Sequence, residues 1–234
     1  MLKHGARKLS VQAAEASHPR VGGTPLSLEC ARQDDDAEYR AEVASGTRKA
    51  VLRLLGFWSR ESQAIRGSRK LYNAAETQAT DLNFLHSASL DPYSFQSQQN
   101  ALVLHMWMLM RRLRSDGEDG KRVSQPLHEH FQTEVERRVR KVGVRVRVNK
   151  WLTELERAFY GTSLALDSAY DEGSSSDLAR ALYKNLYLCE EGKASASTEL
   201  AAYTERELDS LSITPSHAVL RGNIQFQPFE GESE

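Results

Sequence analysis

An all-α fold is predicted by three features of the sequence. Apolar residues recur every three or four positions from about residue 48 to Pro215, the breaks between these runs fall at Gly and Pro, and strand-like alternation is tempting at only one place. The expected architecture is an irregular bundle of about six or seven helices in a single domain spanning residues 48–222. A flexible leader, 1–47, precedes it and a short tail, 223–234, follows. A chain of 234 residues suits one such domain and is long enough to bury a sizeable core.

The leader mixes Ala, Ser and Gly with charge, includes Pro19, Pro25 and the acidic run Asp34-Asp35-Asp36, and shows no sustained period. Its first fourteen residues carry Lys3, Arg7 and Lys8 with no acid before Glu15. Mitochondrial transit peptides share that composition with basic disordered starts, and the residues leave the two open.

Residues 48–58 (RKAVLRLLGFW) gather Val51, Leu52 and Leu55 on one side of a first helix. A second, 61–76, sets Ile65 and Tyr72 one heptad apart with Leu71 beside them. Asp91-Pro92 reads as the start of the third, because Asp caps free N–H groups and proline is tolerated at a first helical position. Phe95, Leu102, Met106, Leu109 and Leu113 then form a stripe as far as Arg114, with Gly117 as the stop. Pro126 is expected to open a fourth helix, in which Leu127, Phe131, Val135, Val139 and Val142 recur before Gly143.

In VGVRVRV, Val142, Val144, Val146 and Val148 alternate as in a strand, but an isolated strand is not a stable element. Val144, Val148, Leu152, Leu155 and Phe159 fit a helical stripe equally, so a loop at Gly143 and a helix from about Arg147 are expected. Tyr170-Asp171-Glu172-Gly173 reads as a turn. Ser176 is the expected cap of the next helix, which turns Leu178, Leu182, Leu186 and Cys189 to one face and stops at Gly192. A last helix over about 198–211 carries Leu200, Leu208 and Leu211 inward and ends before Pro215.

The composition excludes several classes of protein. Cys30 and Cys189 form neither a CxxC nor a Cys/His cluster, so no disulfide framework or zinc site is indicated. The longest apolar run, 101–110, is far short of the roughly 20 residues a membrane span needs. His128-Glu129-His130 lacks the second histidine of HExxH, since position 132 is Gln. No phosphate-binding glycine loop and no GxSxG elbow occur, and a hydrolase would have only scattered His and Asp to work with. No enzymatic activity and no cofactor are expected.

Two stretches stand out. Between residues 137 and 150 lie Arg137, Arg138, Arg140, Lys141, Arg145, Arg147 and Lys150 with no acid among them, although the whole chain carries a net charge of -1. Such a cluster either is a solvated helix face or attracts phosphates or anionic lipid headgroups. The second stretch is LHMWMLMRRL, residues 104–113. On a helix, Leu102, Met106, Leu109 and Leu113 share one side while Leu104, Trp107 and Met108 project from the other. A helix apolar all round is buried on both sides, in its own bundle or against a partner. His105 and Met108 lie one turn apart on one face, so they cannot fill the two axial positions of one haem, and CxxCH is absent.

LHMWMLMRRL, with the upstream LRLLGFWSRESQAIRGSRKLY and the downstream TELERAFYG and YDEGSSSDLARALYKNLY, resembles the ubiquinol-cytochrome c chaperone family over roughly residues 48–215. The resemblance implies a helical, non-enzymatic assembly factor for respiratory complex III. Such a protein receives newly made cytochrome b together with a small partner subunit and associates with the mitochondrial ribosome, on the matrix side of the inner membrane, with peripheral contact to that membrane. On that reading Leu104, Trp107, Met108, Arg111, Tyr170 and Asp171 are candidates for client or partner contact. The seven cations from Arg137 to Lys150 are candidates for ribosomal RNA or anionic membrane. A ribosome-bound structural or translational factor that holds no client is the alternative. The interval between Phe159-Tyr160-Gly161 and Tyr170 is longer than the family pattern, and the 47-residue leader has no counterpart in it.

Overall fold

The computed structural model describes residues 25–31, 59–143 and 145–229, so the helix expected at 48–58 lies outside the described residues. Eight helices follow one another from residue 60: α1 (Arg60–Thr80), α2 (Leu82–Ser87), α3 (Phe95–Arg114), α4 (Gly117–Lys141), α5 (Val148–Asp171), α6 (Ser175–Asn185), α7 (Ala194–Ile213) and α8 (Ser216–Leu220). No strand occurs among the described residues, and the single all-α domain agrees with the expected fold class. In VGVRVRV, α4 ends at Lys141 and α5 begins at Val148, so the loop and helix reading holds.

α3 is the axis of the bundle. It packs against α1, α2, α4, α5 and α7, and every residue from Ala101 to Leu109 is buried. The apolar character all round its circumference is thus satisfied within the chain. Its start differs from expectation: the Asp91 carboxylate is occupied by the Tyr93 N–H at 2.9 Å in a turn of its own, and Ser94 caps the helix instead. At the other end, buried Arg112 pairs with Asp116 at 2.7 Å and donates from Nε to the Leu211 carbonyl at 2.8 Å, tying α3 to the end of α7.

α4 begins at Gly117, not at Pro126, which stands inside the helix. Gly117 takes a left-handed φ of 59° that turns the chain directly from α3 into α4, and Glu118 and Asp119 supply the acidic first turn that favours initiation there. Pro126 then forgoes one rung of a 25-residue helix whose inner face, Leu127, Phe131, Val135 and Val139, is buried. Val142 is excluded from that face because the helix has already ended, and it is exposed.

α1 approaches its neighbours through small residues. Ala64, Gly67, Ser68, Ala75 and Ala79 are buried beside Leu71 and Tyr72, whereas Ile65, expected on the inner stripe, faces solvent. A Cβ on Gly67 would stand 2.1 Å from the Leu220 carbonyl oxygen, so α8 lies directly on this helix. Further along, α6 is preceded by Ser174 and not Ser176 at its cap position. It ends at Asn185, before Gly192, where Leu188 and Cys189 adopt positive φ. Cys189 is consequently exposed and not part of the inner face.

Both ends of the described chain add to the core beyond the periodic helices. Residues 26–31, inside the expected leader, are helical and dock on α7, where the Ser27 and Ser210 hydroxyls meet at 2.7 Å. After α8, residues 223–229 run extended with Ile224, Phe226 and Phe229 buried. Gln78 Nε2 donates to the Gln227 carbonyl at 3.1 Å, the Gln227 N–H donates to Glu207 Oε2 at 3.2 Å, and Arg206 donates to the Pro228 carbonyl at 2.9 Å. The stretch expected as a tail is therefore a strap across α1 and α7 as far as Phe229.

Candidate functional site

The candidate contact residues divide into two groups. Leu104, Trp107 and Met108 are at most 1% exposed, so the partner-facing role expected for them is not available in this fold. The reason is the position of α3: the second apolar side that a partner would have covered is covered by the chain's own helices. Arg111, Tyr170 and Asp171 do come together at the surface, one turn beyond Trp107. Arg111 donates to Asp167 Oδ1 at 2.9 Å and to Asp171 Oδ1 at 2.5 Å, and its guanidinium lies over the Tyr170 ring, 4.5 Å from the centroid.

Asp167 is the centre of this cluster and was not singled out in the sequence. It accepts from Trp107 Nε1 at 2.9 Å and takes a two-pronged contact from Arg114 at 2.8 and 2.6 Å. Burial alone would raise its pKa; the hydrogen bonds from Arg114, Trp107 and Arg111 outweigh that and hold it below the usual carboxylate value. The legible signal was the repeat of Asp167 and Asp171 one turn apart on α5, opposite Arg111 and Arg114 on α3. The cluster clamps α5 to α3 and leaves Arg114 and Asp171 largely in water.

His105 is fully buried and engaged at both nitrogens, with Nδ1 against the Ala101 carbonyl at 2.7 Å and Nε2 against the Tyr203 hydroxyl at 2.9 Å. Burial lowers its pKa to about 4, although the Ala101 contact opposes this, so the ring is neutral and serves the core. Phe84 and Phe226 meet it edge-on at 5.0 and 4.7 Å. His130 likewise packs edge-on against Tyr72, and His128 packs at a tilt against Phe159 and Tyr160. No group of three or more His, Cys, Asp or Glu suited to a metal occurs among the described residues.

The basic stretch is partly neutralised by acids that lie just outside it in sequence. Arg137 pairs with Glu134, Arg140 with Glu136 and Lys150 with Glu154. Arg138 is 8% exposed and donates to Gln98 Oε1 at 3.1 Å, so it belongs to the core and not to the face. Lys141, Arg145 and Arg147 are exposed at the α4–α5 elbow, and none of them makes an ion pair among the described residues. Beside them Val142, Val146 and Trp151 are exposed, and Arg147 carries a left-handed φ of 57° that lets the chain turn Val148 inward.

Two cavities flank the first half of α5. One, of about 460 Å³, lies between α4 and α5 and is lined by Phe131, Val135, Leu152, Leu155 and Phe159. The other, of about 220 Å³, lies on the α6 side, with Val103, Leu186 and Leu188 among its walls. Both share Leu155 and Gln99. The sequence marked Leu152 and Leu155 only as a helical stripe and gave no sign that the stripe would remain half covered.

These features define an all-α domain with an exposed cationic elbow, a partly apolar cleft beside it, and an internal clamp that fixes α5 to the central helix. The model of the ubiquinol-cytochrome C chaperone family matches residues 90–226, and the chain belongs to that family, whose members are non-enzymatic assembly factors. Among solved structures, the crystal structure of the Cbp3 homolog from Brucella abortus is similar, with a TM-score of 0.65 and 24% sequence identity over 76% of this chain and 96% of that one. At that identity the likeness bears on the fold. No match was found among curated proteins. No helix among the described residues is long and apolar enough to cross a membrane.

Proposed function

We propose that this chaperone receives newly made cytochrome b during assembly of respiratory complex III, acting with a small partner subunit in mitochondria, on the matrix side of the inner membrane. The observation that carries the reading is the family match, which spans the central helix α3, the clamp to α5 and the strap up to Phe226. The cationic elbow supports a second element of it. Lys141, Arg145 and Arg147 give a local positive field suited to ribosomal RNA or to the anionic surface of the inner membrane, with Val142 and Val146 beside them.

The test is capture of the full chain from gently solubilised mitochondria. Cytochrome b and one small companion are the expected co-purifying proteins, and loss of the chain depletes complex III while other respiratory complexes persist. Unchanged complex III on loss of the chain overturns the proposal. Recovery with ribosomal components alone, never with cytochrome b free of ribosomes, supports instead a ribosome-bound factor without a client. Changing Lys141, Arg145 and Arg147 to Glu weakens ribosome or vesicle association, and that association falls with added salt.

A further inference from the structure

We propose that the two cavities flanking the first half of α5 form one receptor for an apolar, uncharged polypeptide segment that carries an amide or hydroxyl side chain and a flanking Lys or Arg. This is the chemistry of a membrane-spanning segment before insertion. The inference rests on the cytochrome b reading and names what part of such a client this chain grips.

The first observation is how α5 is seated. From residue 149 to residue 158 none of its residues is buried, whereas Phe159, Thr162, Leu166 and Ala169 beyond are. The Asp167 clamp fixes the second half, so the first half stands over the bundle with open space on both flanks, lined in part by apolar side chains. The larger cavity, about 460 Å³, has the size of an ordinary binding cleft, and Leu155 is the part of α5 that separates it from the smaller one.

The second observation is Gln99 on the floor where the two cavities meet. Its side chain is 2% exposed, and Oε1 is buried without a hydrogen-bond partner among the described residues. An unpaired buried amide costs free energy that an occupant with a matching polar group would recover. Polar residues share the walls with Phe131, Leu152, Leu155 and Phe159; those apolar side chains suit an apolar body, and Gln99, buried and unpaired, suits one polar side chain within it.

The third observation is the outer rim. Glu129, Glu136 and Glu156 line the larger cavity, and the groups that hold Glu129 and Glu156 are the neutral amides of Gln125 and Gln132. Only Glu136 is balanced, by Arg140. An acidic rim favours a cationic flank, as apolar membrane segments carry at their ends. At the larger cavity this rim repels an anionic lipid, and the single Lys or Arg lining either cavity, Lys184, stands on the smaller one; the larger cavity therefore favours a polypeptide with a cationic end over a lipid.

The test uses the purified full chain and a fluorescent Lys-flanked Leu/Ala peptide with one central Gln, delivered from mild detergent, with the same peptide carrying Leu at that position as reference. Wild type is expected to prefer the Gln peptide by roughly five- to tenfold in Kd. Gln99→Leu abolishes the preference while retaining binding, and Leu155→Trp, which adds bulk at the boundary that both cavities share, weakens both peptides tenfold or more. An unchanged preference in Gln99→Leu overturns the proposal, as does wild-type binding by a folded Leu155→Trp. If Leu155→Trp fails to fold, Gln99→Leu still decides. A co-purifying lipid that the peptide cannot displace also overturns it. In mitochondria, equal capture of cytochrome b by wild type and both variants overturns the receptor and leaves the client reading standing. Capture by none, wild type included, overturns the client reading, and the peptide assay then decides the receptor by itself.

Discussion

The indole nitrogen of Trp107, on the most deeply buried helix, donates to Asp167 Oδ1 at 2.9 Å, and the same oxygen accepts from Arg111 at 2.9 Å. One carboxylate thus joins the core of α3 to a surface cation cluster and holds the second half of α5 in place.

Removing that carboxylate exposes the cost of the arrangement. Asp167→Ala leaves the Trp107 N–H buried without its acceptor and Arg111 with one partner fewer, and is expected to destabilise the domain by roughly 2–3 kcal/mol in urea unfolding. Asp171→Ala, which removes a carboxylate that is largely in water, costs under about 1 kcal/mol. Trp107→Ala costs about 3–5 kcal/mol, and partner capture falls only in proportion to the folded fraction. Selective loss of capture at unchanged stability would contradict the buried placement of Trp107.

Gly67→Ala sets two effects against each other. In an open helix the change gains about 1 kcal/mol from propensity. Here the new Cβ would stand 2.1 Å from a backbone oxygen of Leu220, which cannot rotate away. The clash wins, and a net loss of about 1–3 kcal/mol is expected, with amide exchange at residues 216–222 accelerating first.

Stability should respond to pH through Glu207. Burial raises its pKa to about 7, although the Gln227 N–H and Arg206 oppose this. A carboxyl whose folded pKa lies above its unfolded value binds its proton more tightly in the native state. Its contribution is therefore full below about pH 4.5 and is lost as pH rises to about 7. His105, with its pKa lowered to about 4, acts in the opposite sense: its contribution is present above about pH 6.5 and is lost as pH falls toward 4. Urea melts of wild type and Glu207→Gln from pH 5 to 7.5 separate the two. The variant is expected to gain relative to wild type with rising pH, by up to about 3 kcal/mol.

The helical content and most inner faces were legible because the information is local. The three-to-four-residue spacing of Leu127, Phe131, Val135 and Val139 fixes one side of a helix whatever lies beyond it. Caps were read less well. Asp91 and Ser176 have the right chemistry, but Ser94 and Ser174 occupy the positions where the chain actually turns into a helix. Pro126 misled because a helix with an acidic first turn and a full apolar face absorbs one missing hydrogen bond.

By itself the sequence determined an all-α domain, the identity of its most apolar helix, and the family blocks along it, since each follows from residue type and spacing within one segment. Only the tertiary structure decided which apolar surface remains open. Leu104, Trp107 and Met108 are sealed inside the bundle, whereas Leu152 and Leu155 are left half covered over an unpaired Gln99. It also decided which cations are free, because Glu134, Glu136 and Glu154 reach into the basic stretch from outside and Arg138 turns inward. Burial and ion pairing are sums over neighbours distant in sequence, and no local period encodes those sums.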